Sequence, residues 1–165
     1  MRTIEQLNEI REERGFSQNS VAQAMGVSAP VLSRALHGNP TQTFLERYEQ
    51  ALDDISRRTT PQHIAAIARP IAVRHKVDEL YLFGSMARGE GHADSDIDFI
   101  YHFSPEANPT IDVIALRDDL KSTFGRNVDL VHKEYLTQPQ PDRLKEIQRV
   151  LFANSITSHP MYRIV

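Results

Sequence analysis

The sequence predicts an α+β chain: an all-α N-terminal domain with a helix-turn-helix, followed by a small α/β domain built on a mixed sheet. Three observations predict it. Up to about Ile55, apolar residues recur at helical spacing, and Gly or Asn separates the runs. After about Leu80, strand-like and helix-like stretches alternate. Between them Ser56-Arg57-Arg58-Thr59-Thr60-Pro61 is polar, and its Thr60-Pro61 pair reads as an N-cap followed by Pro at the first helical position. The expected division is 1–58, 61–153 and a C-terminal tail, 154–165.

The 165 residues are 40% hydrophobic, enough for packed cores, so wholesale disorder is excluded. There is no Cys, which excludes a disulfide scaffold, a thiol nucleophile and Cys-ligated metal sites. The net charge is −3, from 19 basic and 22 acidic side chains. It is spread evenly, with 7 basic and 8 acidic residues up to position 60 and 12 and 14 after it. This balance argues against a nucleic-acid coat but leaves room for a local DNA-binding face. No apolar run approaches the roughly 20 residues that span a bilayer. The start, Met1-Arg2-Thr3-Ile4-Glu5, lacks the apolar block of a signal peptide. A cytoplasmic protein with no membrane partner is expected.

Ile4, Leu7 and Ile10 suit a first helix ending near Gly15. Ser17 can cap a second, with Val21, Ala22 and Met25 as its apolar face and Gly26 as its left-handed stop. Ser28 caps a third, which tolerates Pro30 in its first turn and ends at Gly38. Phe44, Leu45, Tyr48, Leu52 and Ile55 put a fourth helix on the same core. Two short helices joined by a Gly-containing turn, then a helix from a polar cap, form the helix-turn-helix pattern.

The run from Ser17 to Ser28, with Ser33-Arg34 and Gly38 after it, resembles the phage-repressor (XRE-type) family over about residues 3–55. The resemblance implies operator DNA as a partner. The third helix would lie in the major groove, with Gln18 at a helix N-terminus against a phosphate. Ser28, Ala29, Pro30, Ser33 and Arg34 would lie on or beside the reading face. Leu36 departs from the family, which often has Glu there. Polar groups on the reading helix are sparse. One such module makes few phosphate contacts, so a useful affinity needs a homo- or hetero-oligomer on repeated half-sites. A helical bundle that only mediates assembly is the alternative.

In the second part, Glu79-Leu80-Tyr81-Leu82-Phe83 reads as a strand that runs into Gly84-Ser85 and a short helix. Free N–H groups at such a turn suit a phosphate. Many Gly-Ser pairs are ordinary turns, however, and the Gly-Lys-Ser/Thr of a Walker A loop does not follow. Asp94-Ser95-Asp96-Ile97-Asp98-Phe99-Ile100-Tyr101 begins acidic and becomes strand-like. Two apart on a strand, Asp96 and Asp98 leave one face, while Ile97, Phe99 and a third candidate, Tyr101, point into the core. Adjacent carboxylates repel each other unless a cation lies between them, and a hard divalent ion such as Mg²⁺ is the natural one. An Asp-rich loop leading into a strand is the bland alternative. Arg126-Asn127-Val128-Asp129-Leu130-Val131 is another short apolar strand with one acid in its middle. If it pairs beside the first, a third carboxylate joins the set, which then suits metal-dependent phosphoryl or nucleotidyl transfer.

Gly84-Ser85, ten residues (Met86 through Ser95), then Asp96-Ile97-Asp98 has the spacing of the minimal nucleotidyltransferases, of the polymerase-β-like superfamily. Phe83, Ala87, Arg88, Gly89 and Ser95 also fit, as does Gly125-Arg126-Asn127-Val128-Asp129-Leu130-Val131. The chain resembles that family over about residues 65–150. The resemblance implies a polymerase-β-like fold and a site in which Asp96 and Asp98 hold two Mg²⁺ ions. Asp129 would share one ion and, nearest the acceptor hydroxyl, take its proton. Gly84 and Ser85 would hold the triphosphate of ATP. Arg88 would either support that turn or anchor its loop to an acid. The implied reaction moves AMP from ATP to a hydroxyl.

After Val131 only one convincing helix follows, from Pro141 to about Phe152. Aminoglycoside-modifying enzymes resemble this core but add a helical domain that holds the drug, so the expected acceptor is another protein. Minimal nucleotidyltransferases are commonly paired with a HEPN-type toxin, a helical ribonuclease, and their antitoxin role is to adenylylate its tyrosine. Antitoxins often bind their own operator, which the N-terminal domain would suit. A non-catalytic antitoxin or repressor, a small-molecule transferase and an RNA-end transferase are the competing readings.

His92 could serve metal or phosphate or be a solvated loop residue. The other His residues are scattered without a zinc spacing. Pro70 predicts a kinked or split helix over Ile64–Val73. Ile111, Val113, Ile114, Leu116, Leu120 and Phe124 predict a core-facing helix. Lys133, Arg143, Lys145 and Arg149 form either a basic face or a solvated helix face. Residues 158–162 lack periodicity and read as a docking tail or a disordered one.

Overall fold

The computed structural model describes residues 2–91 and 94–165. The chain forms two compact units, one of the residues up to Thr59 together with Asp94, the other of Thr60–Gly91 and Ser95–Val165. Among the described residues, no helix is long and apolar enough to cross a membrane.

The first unit is all helical: α1 (Ile4–Glu13), α2 (Gln18–Met25), α3 (Ala29–Leu36) and α4 (Gln42–Arg58). Side-chain caps define most of these starts. Thr3 and Gln6 form a reciprocal capping box on α1. Ser17 accepts the Ser20 N–H on α2 at 3.0 Å, and Thr41 accepts the Phe44 N–H on α4 at 3.3 Å. Gly26 ends α2 in the left-handed conformation, at φ 67°. Ser28 stands at the N-cap of α3 but makes no capping bond, contrary to the expectation from sequence. Pro30 in the first turn lacks an N–H and so needs no acceptor there. Tyr48, Ala51, Leu52 and Ile55, at helical spacing on α4, bury against Leu7, Val21 and Leu32.

The second unit contains α5 (Pro61–Arg74), β1 (Val77–Phe83), the single turn α6 (Gly84–Ala87), β2 (Ile97–Phe103), α7 (Pro109–Phe124) and β3 (Val128–His132). A 3-10 turn (Lys133–Leu136), α8 (Arg143–Thr157) and β4 (Tyr162–Arg163) complete it. The sheet order is β3-β2-β1-β4. β1 is antiparallel to β2 and β4, whereas β2 and β3 are parallel, so the sheet is mixed. A parallel pair needs a crossover, and α7 supplies it. Leu80, Leu82, Ile97, Phe99, Tyr101 and Val128 form one buried core with residues of α5 and α7. Alternation sends Phe83 and Ile100 to the opposite face, where they meet Ile156 and Phe152 of α8. The Phe83 and Phe152 rings meet edge to face at 6.2 Å.

Several expectations from sequence are corrected. Of the kinked or split helix expected at Pro70, the split is not found: α5 runs unbroken from Pro61 to Arg74. Ala66, whose carbonyl loses its partner, and Pro70 itself both lie on the exposed side, where water can take up the free acceptor. On α7, Leu116 and Leu120 are buried, but Ile111 and Ile114 are more than half exposed. Arg149 belongs to no basic face. It is buried, its Nε and Nη2 donate to Glu146 at 2.8 and 2.6 Å, and its Nη1 donates to the Leu136 carbonyl at 2.6 Å. Lys133 pairs with Glu79. The segment 154–165 is not a free tail. α8 continues to Thr157, Tyr162–Arg163 pairs with β1, and Ile164 is buried, its N–H donating to the Leu80 carbonyl at 2.8 Å. A two-residue strand is too short to show periodicity in sequence. His92 lies outside the described residues.

Arg149 and the Gln140 N–H hold the Glu146 carboxyl down, from 4.5 to about 2. A depressed carboxyl stabilises the fold above its unfolded value and loses that contribution as pH falls through its folded value. Glu146→Gln should therefore lower the melting temperature at pH 7, and the gap from wild type should close as pH falls from 4.5 toward about 2. Melting curves followed by circular dichroism across that range check it.

Candidate active site

The site lies where β1 ends and β2 and β3 begin. The register places Phe83 beside Asp98 and Asp98 beside Asp129, so one row crosses three strands. Asp98 sits between Ile97 and Phe99, both fully buried on the other face. Its carboxylate therefore leaves the sheet on the side of Asp129. Asp96 precedes β2 rather than lying on it, which corrects the expectation of two carboxylates on one strand. Its segment is tied down on both sides. The Ile97 N–H donates to the Asn127 carbonyl at 3.0 Å, and Arg126 Nε donates to the Ser95 carbonyl at 3.1 Å.

The three acids sense one another. The Asp98 carboxyl is pushed up from 3.8 to about 6, first by burial, then by the charges of Asp129 and Asp96, with Arg88 partly opposing them. Asp96 and Asp129 are exposed, so the group opens to solvent. Oxygen-only donors of this kind suit Mg²⁺.

Gly84 is required twice over. Its φ is +71°, and a Cβ there would stand 2.5 Å from Asp98 Oδ2. The backbone of the Gly84-Ser85 turn thus runs directly past the central carboxylate. Met86, fully buried, pins this turn, and Gly91 packs so closely on it that a Cβ would fall 1.9 Å from its sulfur. Arg88 Nε donates to Glu90 at 2.9 Å, an acid in its own loop.

In the first unit, Gln18 is the first residue of α2 and is half-buried. Ser28, Pro30 and Arg34 are exposed, while Ala29 and Ser33 are half-buried around the fully buried Leu32. Arg34 folds back along α3, its Nε donating to the Pro30 carbonyl at 3.2 Å.

One cluster escaped the sequence reading. Among the described residues, the three potential metal ligands whose atoms all lie within 4.8 Å of one another are His102, His132 and Glu134, not the three Asp. They gather at the far ends of β2 and β3. No local spacing announces them, because His102 and His132 meet only through strand pairing.

Residues 66–155 match the family model for polymerase beta nucleotidyltransferases, and residues 7–59 match a helix-turn-helix model. Two Methanocaldococcus jannaschii proteins named "Putative protein adenylyltransferase" are each 36% identical, over 62 and 67 residues. These matches cover 38% and 40% of this chain and 66% and 67% of the relatives. Protein adenylyltransferase MntA of Thermococcus cleftensis is 36% identical over 73 residues, 44% of this chain and 73% of its own. The chain thus spans about two thirds of the length of the curated relatives it matches. A solved structure described as a "putative minimal nucleotidyltransferase" overlaps 53% of this chain and 83% of its own, with 31% identity and a TM-score of 0.40.

Mutual repulsion at the three acids and the tight Gly84 turn give opposite expectations for two substitutions. In chelator at pH 7.5, Asp98→Asn should raise the melting temperature, by roughly 2–4 °C for each kcal/mol gained. Gly84→Ala should cost about 1–2 kcal/mol from the left-handed backbone alone, before its contact with Asp98. Differential scanning calorimetry of both variants checks the pair.

Proposed function

Because the chain belongs to the polymerase beta nucleotidyltransferase family, we propose that it is an antitoxin that moves AMP from ATP onto a hydroxyl of a partner protein and binds its own operator. The observation that carries this reading is the row of carboxylates beside the Gly84 turn, with Asp98 held at about 6 by burial and its acidic neighbours. A carboxylate so placed is suited to a bound cation. The relatives named protein adenylyltransferases support a protein acceptor. The minimal nucleotidyltransferase resemblance supports a tyrosine of a HEPN-type ribonuclease toxin as that acceptor.

Asp96, Asp98 and Asp129 would hold Mg²⁺, which when bound lowers the pKa of the attacking hydroxyl and offsets the charge of the phosphates. The chain's own residues position the reactants and manage the proton. Gly84 and Ser85 offer a backbone with no Cβ at the point of closest approach, so a triphosphate can lie against the turn. Asp129, exposed beside Asp98, takes the hydroxyl proton. The acceptor oxygen forms a bond to the α-phosphorus as the α–β bridging bond breaks and pyrophosphate leaves. Arg88, paired with Glu90, keeps the loop behind the turn in place. Positioning and charge neutralisation make up most of the catalysis.

With Mg²⁺, α-labelled ATP and the protein encoded beside it, wild type should label that partner. An Asp96→Ala, Asp98→Ala double variant should lower the labelling rate by at least about 10²–10³-fold. Full suppression of toxicity by that variant, with no label on the partner in wild type, would show a binding antitoxin instead. Label on tRNA or on an aminoglycoside would redirect the substrate class.

The helix-turn-helix match and the exposed Ser28, Pro30 and Arg34 support the DNA-binding part of the proposal. A Gln18→Ala, Arg34→Ala variant should weaken binding to the chain's own promoter DNA in fluorescence anisotropy and leave AMP transfer unchanged. Wild-type affinity should fall steeply with salt as counterions are displaced from phosphates. Affinity independent of both residues and of salt would assign the domain to assembly.

A further inference from the structure

We propose that His102, His132 and Glu134 form a binding site for a divalent transition-metal ion, Zn²⁺ in the first instance, separate from the Asp96–Asp98–Asp129 group. His102 lies near the end of β2, His132 ends β3, and Glu134 follows in the 3-10 turn. His102 Nδ1 is 2.5 Å from Glu134 Oε1, and His132 Nδ1 is 2.8 Å from Glu134 Oε2. One carboxylate is therefore flanked by two imidazole nitrogens.

These contacts are not hydrogen bonds. His102 Nδ1 and Glu134 Oε2 are both buried atoms, and neither has a hydrogen-bond partner. Two buried polar atoms left unsatisfied are each destabilising, because desolvation is not repaid by a partner. A cation accepting both lone pairs removes that cost and needs no N–H to be aimed at an oxygen. The neighbouring charges leave the group available. Glu79, beside His102 in the strand register, already accepts from Lys133 at 2.5 Å and from the Tyr81 hydroxyl at 2.9 Å. That carboxylate and that ammonium pair with each other, which leaves the Glu134 carboxylate and the two imidazoles to a divalent ion.

Donor chemistry selects the ion. Mg²⁺ and Ca²⁺ prefer oxygen-only shells, whereas two imidazoles and one carboxylate suit Zn²⁺ with an open fourth position, or another first-row metal. Tetrahedral Zn²⁺ with bonds of about 2.0–2.1 Å sets its ligand atoms about 3.3 Å apart. The present separations of 2.5 and 2.8 Å need to widen by less than about 1 Å. The side chains are 37%, 43% and 28% exposed, which leaves them room to do so. Bound metal would tie the ends of β2 and β3 to the 3-10 turn, whose Leu136 carbonyl anchors Arg149 of α8. His132 also borders an apolar cavity of about 610 Å³, with Tyr101, Leu130, Tyr135 and Phe152 in its wall. The open coordination position would therefore lie near a space large enough for a small ligand.

The test is titration of the chelator-stripped full chain with Co²⁺, read by visible absorption, followed by Zn²⁺ competition and calorimetry. One tightly bound ion per chain, with a tetrahedral Co²⁺ spectrum and a raised melting temperature, is expected. His132→Gln alone, at the most exposed ligand, and a His102→Gln, His132→Gln double variant should each weaken binding by at least about tenfold. The Asp96→Ala, Asp98→Ala variant should keep it. Circular dichroism shows whether each variant is folded, and if the His variants do not fold, retention or loss of the Co²⁺ spectrum in the Asp96→Ala, Asp98→Ala variant decides the matter. Absence of stoichiometric Co²⁺ or Zn²⁺ binding would overturn the site, leaving only two close His–Glu contacts. Binding that survives loss of both His, or disappears with the Asp pair, would overturn it equally.

Discussion

Asp98 and Asp129 face each other across a parallel strand pair, and most of the second unit follows from holding them there. Parallel pairing of β2 and β3 needs the α7 crossover, and α7 in turn covers one sheet face. The same alternation that exposes the acids buries Ile97, Phe99 and Val128. The balance favours the pairing. Lifting Asp98 from 3.8 to about 6 costs at most about 3 kcal/mol, and solvent screening lowers that figure. Burying Ile97 and Phe99 contributes roughly 3–6 kcal/mol together. The sheet can therefore carry a destabilised carboxylate on one face because the other face is fully packed.

The Gly84 turn shows the same economy at smaller scale. A left-handed residue at a strand end is unfavourable for any side chain, and a Cβ there would also push the nearby Asp98 carboxylate aside. The glycine is thus set by the carboxylate as much as by the turn. Buried Met86 fixes the turn from behind, and Gly91 is required by Met86 in its turn. Rigidity at the site comes from this chain of close contacts rather than from a long helix, since α6 has only four residues.

Much of this was legible in sequence for physical reasons. Caps and stops at Ser17, Gly26 and Thr60 act within one helical turn, so local spacing reveals them. The Gly-Ser and Asp-x-Asp motifs are legible because a strand end and a strand start each carry their own chemistry. What stayed hidden depended on distant partners. Arg149 looked like a solvated base, since its anchor, the Leu136 carbonyl, is backbone and carries no sequence signal. Ile164 looked like part of a tail because its partner, Leu80, lies 84 residues earlier, from 164 − 80. Asp96 was placed one residue too far into the strand, a boundary that alternation alone cannot resolve.

The His–His–Glu cluster belongs to the hidden class, yet the acids contain the information needed to find it. Asp98 opposite Asp129 fixes an offset of 129 − 98 = 31 between the strands. Carried along β2, that offset sets Tyr101 opposite His132 and brings His102 level with the residues just past β3, where Glu134 stands. Metal-spacing rules search within a turn or a loop, so they miss ligands 30 residues apart, from 132 − 102. A slip of one residue would turn Asp129 toward the core and part both groups together. One register therefore specifies both clusters, the acids at the beginnings of the strands and the imidazoles at their ends, and neither can be altered by re-pairing without losing the other.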